Sequence, residues 1–167
     1  MTEQQFLKDN KASVQHLKSI PSLENFSEDD LAELLTVSRI ETYKDNELII
    51  AENASDNRVF YMISGKAKVM KGGRELIVLR RTGDVFGEMG VIAGVARSAS
   101  VYSIGQTTCL SVNIDHINHL NETSRLTFKY LIYRSFAEIM ANRLKATTEE
   151  LIRTKEELER LKQDKGT

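Results

Sequence analysis

The chain has 167 residues, of which 41% are hydrophobic and 28% charged, and its 23 basic and 24 acidic residues leave a net charge of −1. That balance argues against broad, charge-driven nucleic-acid binding, and the single cysteine, Cys109, excludes an internal disulfide, an iron–sulfur cluster and a four-thiolate zinc site. No apolar run approaches the roughly 18 residues of a membrane span, and the polar start MTEQQFLKDN does not read as a secretory signal, so a reducing, cytoplasmic setting is expected.

Along the chain, FLKDNKASVQHLKSI reads as a weak amphipathic helix that Pro21 ends. In NFSEDDLAELL a stronger helix begins: Ser27 is a good N-cap, the acids Glu28, Asp29 and Asp30 suit the positive end of the helix dipole, and Phe26 can staple against Leu31. From about Arg39 the period shortens. Seven alternating or apolar runs follow, RIETY, ELIIA, VFYMI, KAKVM, ELIVL, ASVYSI and TTCLSVNI, separated by turn residues such as Asp45-Asn46, Ser64-Gly65 and Gly72-Gly73. Seven or eight closely spaced short strands predict a small antiparallel sandwich or roll. Eight of the nine glycines lie between Gly65 and Gly105, so the conformationally demanding backbone is expected there.

After about Ser124 the pattern is helical to the end, with no proline and no glycine before Gly166. With Leu144 as an a position, the a and d positions are Tyr130, Tyr133, Ala137, Met140, Leu144, Thr147, Leu151, Thr154, Leu158 and Leu161. Flanking charges pair at a five-residue offset, Glu150 with Lys155 and Glu157 with Lys162, as between the strands of a parallel coiled coil. A parallel homodimer is therefore expected. The competing reading is one long exposed helix with internal pairs such as Glu149 with Arg153 and Glu156 with Arg160. The expected organisation is a helical segment over 1–22, a roll with flanking helices over 23–123 and a long dimerisation helix over 124–167; the fold class is α+β, mainly β.

The chemistry concentrates in RRTGDVFGEMGVIAGVARSASVYS. Glu88 and Arg97 stand at the two ends of one short loop, where they could form a surface ion pair of little worth. Gly87 and Gly90 bracket the short turn that holds Glu88 and Met89, where they would let a ligand approach the backbone. Arg97 is followed by Ser98, Ala99 and Ser100, small residues whose amides and hydroxyls are open to an anion. A fork-shaped cation, amide donors and an acceptor carboxylate in one loop suit a ligand carrying both a phosphate and a hydroxyl.

FGEMGVIAGVARSASV resembles the phosphate-binding cassette of the cyclic nucleotide-binding domain, the module of the catabolite activator protein, of cyclic-AMP-dependent kinase regulatory subunits and of cyclic-nucleotide-gated channels. FYMISGKAKV and the helix–roll–helix order extend the likeness over roughly residues 20 to 150. The resemblance implies that Glu88 accepts the ribose 2′-hydroxyl, that the Gly87 backbone and the neighbouring Met89 belong to the sugar-binding turn, and that Arg97 pairs with the cyclic phosphate. Ser98 and the Ala99 N–H would complete the anion site, and Val69 and Val85 would line the base or sugar. MANRLKATTEE is similar to the dimer helix of the catabolite activator protein, which places Arg143, Thr147 and Thr148 against the adenine across the dimer. A threonine oxygen can accept from the adenine 6-amino group, which favours cyclic AMP, while Ser98, directly after the arginine, keeps cyclic GMP as the other candidate. Thr147 also reads as a polar residue that merely sets coiled-coil register.

The resemblance also shows departures. Asn46 and Asn53 stand where the family's turns usually carry glycine, and asparagine tolerates left-handed backbone next best. Ala54 stands where many relatives carry an acid that buttresses the phosphate-binding arginine, which predicts weakened affinity. His116 and His119 share a helical spacing but lack a further ligand, so they read as polar surface, and neither a metal nor a cofactor nor a catalytic activity is expected. The chain would act as a cyclic nucleotide sensor whose long helix changes angle or register through a hinge near residues 115 to 126. The alternative is a catabolite-activator-type transcription regulator lacking, or cut short of, its helix-turn-helix; with no recognition helix in the sequence, no DNA binding is expected of this chain.

Overall fold

A computed structural model describes residues 13–118, 120 and 122–164. Residues 13–18 are helical (α1), and a single 3₁₀ turn, Pro21–Leu23, follows at the proline that ends α1. The helix α2 (Glu28–Thr36) starts where its sequence says it should: Ser27 caps the Asp30 N–H at 3.1 Å, and the Asp30 carboxylate returns to the Ser27 N–H at 3.0 Å. Phe26 and Leu31, the expected staple, are both buried.

The strands are β1 (Ser38–Tyr43), β2 (Leu48–Ile50), β3 (Arg58–Lys71), β4 (Arg74–Leu79), β5 (Val85–Phe86) and β6 (Ser100–Asn113). They form one sheet in the order β1-β6-β3-β4, with β2 paired to β6 and β5 to β3, and every pairing is antiparallel. The helix α3 (Glu88–Ala93) sits between β5 and β6, and α4 (Ile114–Ile117) and α5 (Glu122–Asp164) complete the order. This is the expected class: an antiparallel sheet with N-terminal helices and a long C-terminal helix.

Two of the expected strand breaks are absent. VFYMI and KAKVM are one strand, β3, and ASVYSI and TTCLSVNI are one strand, β6. Ser64-Gly65 is therefore not a hairpin turn. Gly65 has φ +93°, and a Cβ there would stand 2.5 Å from the Gln106 carbonyl oxygen, so glycine lets β3 bend closely over β6. The Thr107 hydroxyl donates to the Lys66 carbonyl at 2.7 Å at the same bend, and the register shifts on both sides of Ser64. Only Asp45-Asn46 and Gly72-Gly73 turn the chain as expected.

Both faces of the central strands are buried. Phe60 and Met62 of β3 join Ile49, Ile50, Phe86, Val101 and Cys109 in the interior cluster, where the Phe60 and Phe86 rings stack at 5.3 Å. Burial, and then the charge of Glu41, push the Cys109 thiol up to about 12. The alternate residues Val59, Tyr61, Leu110 and Val112 are also 0–1% exposed. Each such large apolar side chain contributes about 1.5–3 kcal/mol. The Phe26 and Phe128 rings meet at 6.1 Å and tie the start of α5 to the segment before α2.

The chain divides into two compact units, Met1–Leu131 and Ile132–Thr167. The described residues of the second, taken by themselves, are helix, and the heptad leucines Leu144, Leu151, Leu158 and Leu161 are 51–70% exposed. No helix among the described residues is long and apolar enough to cross a membrane.

Candidate functional site

The site is built on the loop that joins β5 to β6. Gly87 caps α3 with a left-handed φ of +84°, and Glu88, the first residue of the helix, is 1% exposed. Met89, next to it, is exposed. The chain leaves α3 at Gly94 and returns to bury Arg97, whose backbone is held on both sides: its N–H donates to the Ala54 carbonyl at 2.9 Å, and its carbonyl accepts the Asn53 N–H at 2.8 Å. Asn53 and Asn46 both adopt the left-handed backbone expected of them, with φ of 64° and 59°.

The Arg97 guanidinium is the hub. Nη1 donates to the Gly87 carbonyl and Nη2 to the Arg58 carbonyl, each at 2.5 Å, and Nη2 also forms an ion pair with the Asp56 carboxylate. Nε is buried and has no hydrogen-bond partner among the described residues. The two bracketing glycines make room for this side chain. A Cβ on Gly87 would stand 2.8 Å from Arg97 Nη1, and one on Gly90 3.2 Å from the Val95 carbonyl oxygen and 3.5 Å from Arg97 Cδ. Their openness, read from sequence as access for a ligand, is here occupied by the arginine itself.

Asp56 is the residue that sequence reasoning missed. The acid absent at Ala54 is supplied two residues later, where the chain enters β3 and the carboxylate also accepts the Arg58 N–H at 2.8 Å. The Asp-Asn pair just before the β3 apolar run is the signal that could have found it. Partial burial opposes the Asp56 charge, but the Arg97 hydrogen bond, the Arg58 N–H and the two guanidinium charges outweigh it and hold the carboxyl below its usual range. Glu88 has an electrostatic neighbour in Tyr61, whose phenol is pushed upward first by complete burial and then by the Glu88 charge.

Of the sequence-selected residues, the loop brings Arg97 against Gly87, the residue before the buried Glu88; Ser98 is exposed and Ala99 half-buried immediately after Arg97. Val69 packs on the interior cluster, beside Val101 in the β3–β6 register. Val85 is 1% exposed but pairs with Tyr61, on the strand face opposite Phe86, and does not join that cluster. Arg143, Thr147 and Thr148 lie on α5 in the second unit, where the Thr148 hydroxyl donates to the Leu144 carbonyl at 2.8 Å. His119, and part of the expected hinge at residues 119 and 121, lie outside the described residues.

A short helix opened by a left-handed glycine, a buried arginine and a buried carboxylate stand together on one loop of an antiparallel roll. Residues 40–124 match the profile of the cyclic nucleotide-binding domain. The chain belongs to that family and is a regulatory, ligand-binding module of its kind. It is 33% identical over 98 residues to a cGMP-dependent protein kinase of Toxoplasma gondii, covering 59% of this chain and 10% of the kinase. It is 28% identical over 94 residues to a cAMP-dependent protein kinase regulatory subunit of Mycosarcoma maydis, covering 54% of this chain and 18% of the subunit. The match thus spans a minor part of either relative. Among solved structures, a cyclic nucleotide-binding domain from Methylobacillus flagellatus superposes with a TM-score of 0.65 at 16% identity, covering 81% of this chain and 80% of that one.

Proposed function

We propose that the β5–β6 loop binds a cyclic nucleotide, with cyclic AMP preferred over cyclic GMP, and that the chain works as a dimeric sensor. The observation that carries this reading is the buried Arg97 guanidinium, braced by Asp56 and two carbonyl oxygens, one of them that of Gly87, the residue before the buried Glu88. A cyclic phosphodiester keeps its charge near neutral pH, so a permanent planar cation suits it. The unpartnered Nε is a donor for that phosphate, and the Ser98 hydroxyl and Ala99 N–H complete its contacts. Glu88 can only accept, and a ribose 2′-hydroxyl can donate. The Gly87 backbone and Met89 border the sugar; Val69 offers apolar wall, and Val85 does so only if the cassette rearranges.

The preference for adenine rests on Thr148. Its proton is committed to the Leu144 carbonyl, so the oxygen presents lone pairs and favours the 6-amino group of adenine over the carbonyl of guanine. Thr147 and Arg143 stand on the same helix. The exposed heptad leucines of α5 support a parallel coiled-coil dimer, across which these residues would meet the base. Nucleotide binding then shifts a two-state equilibrium of the cassette, the hinge near residues 115 to 126 and the paired helices, by no more than its difference in affinity for the two states. Output to a downstream effector follows from the helix pair. Titration calorimetry with cyclic AMP and cyclic GMP tests the reading. Binding of cyclic AMP, with cyclic GMP weaker, is expected; no heat with either nucleotide overturns it.

A further inference from the structure

A polar cavity lies on one face of the sheet, outside the cassette. Register places Arg39 of β1 beside Ser111 of β6, and Arg58 of β3 beside Asn113, on the face that carries Phe60, Met62 and Cys109. These four residues, with Glu41 and His116, line a cavity of about 340 Å³. That is at the lower end of the roughly 300–1,000 Å³ range of small-molecule sites.

The lining is rich in donors. Arg39 is exposed, and its side chain makes no ion pair or hydrogen bond among the described residues. Arg58 adds a second guanidinium, laid over the Phe60 ring at 5.3 Å, and Ser111, Asn113 and His116 add a hydroxyl, an amide and an imidazole. The one carboxylate, Glu41, is already engaged: it accepts the Tyr43 hydroxyl at 2.5 Å and faces Arg58 Nη1 at 3.9 Å. An open fork of N–H groups beside a second cation matches an oxyanion.

Arg58 also ties this cavity to the cassette. Its Nε stands 3.5 Å from the same Asp56 oxygen that pairs with Arg97. We propose that the cavity binds a small molecule through a carboxylate or phosphate group held between Arg39 and Arg58, and that loading it weakens nucleotide binding at Arg97. The anion draws the Arg58 guanidinium from Asp56, leaves that carboxylate to Arg97 alone and adds negative charge nearby; each effect makes Arg97 a poorer partner for a phosphate. The coupling is reciprocal, so nucleotide binding weakens the anion equally. This second half rests on the cassette reading above.

The test uses the full chain, labelled with ¹⁵N and titrated with inorganic phosphate and, separately, with acetate, against sodium chloride at matched ionic strength. Saturable shifts are expected at the amides of Arg39, Ser111, Asn113 and His116, the stronger of the two probes identifying the oxyanion, and Arg39→Ala should weaken them at least tenfold while its remaining spectrum stays that of the folded chain. Absence of saturable shifts with both probes, identical shifts with chloride, or an unaffected Arg39→Ala overturns the site. For the coupling, a saturating concentration of the stronger probe should weaken cyclic AMP binding several-fold in the wild type and not in Arg39→Ala. A weakening that persists in the variant is direct competition at the cassette and overturns the coupling. If cyclic AMP does not bind at all, the cassette reading and the coupling fall, and the amide shifts still decide the cavity.

Discussion

Asp56 and Arg97 stand 41 residues apart in the chain and form an ion pair in which the arginine side chain is 2% exposed and the aspartate 28%. Removing the carboxylate leaves a buried cation supported only by carbonyl oxygens. A fully buried pair broken on one side costs about 3–5 kcal/mol; with Asp56 partly solvated, Asp56→Asn should cost about 1–3 kcal/mol. Thermal unfolding should move downward by about 3–9 °C for a chain of this size. An unchanged midpoint would show that the carbonyl cage alone holds Arg97.

The same pair sets an acid dependence. Because the folded Asp56 carboxyl is held below its unfolded value, its contribution is complete above the usual carboxylate range near 3.9 and is lost as pH falls through the lower folded value. Urea unfolding of wild type and Asp56→Asn between pH 7 and pH 3 should therefore give a stability gap that is constant down to about pH 5 and narrows below about pH 4. A gap that widens on acidification contradicts the pairing.

Glu88 is expected to act on the ligand. Losing a hydrogen bond to a charged acceptor costs about 1.5–3 kcal/mol, so Glu88→Ala should weaken cyclic AMP roughly 10- to 150-fold by calorimetry. Glu88→Gln, which keeps the shape of the buried side chain, should also bind more weakly; equal affinity in both variants would remove the ribose from its assignment.

At Gly87 the obstacle is steric. With φ at +84° and an added Cβ 2.8 Å from Arg97 Nη1, Gly87→Ala must strain the backbone or displace the guanidinium. A loss of about 1–3 kcal/mol of stability is expected, together with weaker nucleotide binding. Retention of both would mean that the arginine moves at little cost.

Along α5, the exposed leucines Leu151, Leu158 and Leu161 lie beyond Thr147. A chain ending at Thr147 should associate more weakly than the full chain in sedimentation equilibrium. Equal association would exclude the coiled coil as the main dimer contact.

Much of the fold was legible because its signals are local. Ser27 and Asp30 cap α2 with atoms three residues apart, the Gly72-Gly73 turn is set by backbone freedom, and the apolar period of α5 continues along one helix. The strand count was not, since Gly65 resembles a turn residue and only the approach of Gln106, 41 positions further on, makes it a bend within β3.

The sequence by itself determined the family, the position of Glu88 and Arg97 at the two ends of one loop and the order of helix, roll and helix, all of which depend on residues close in the chain. Tertiary structure alone decided which acid braces the arginine, what Gly87 and Gly90 make room for, that Val85 turns away from the interior cluster, and that Arg39, Arg58 and His116 share a cavity. Those facts depend on sheet register, which brings residues together across dozens of positions, and a two-residue displacement such as that from Ala54 to Asp56 is invisible until the strands are paired.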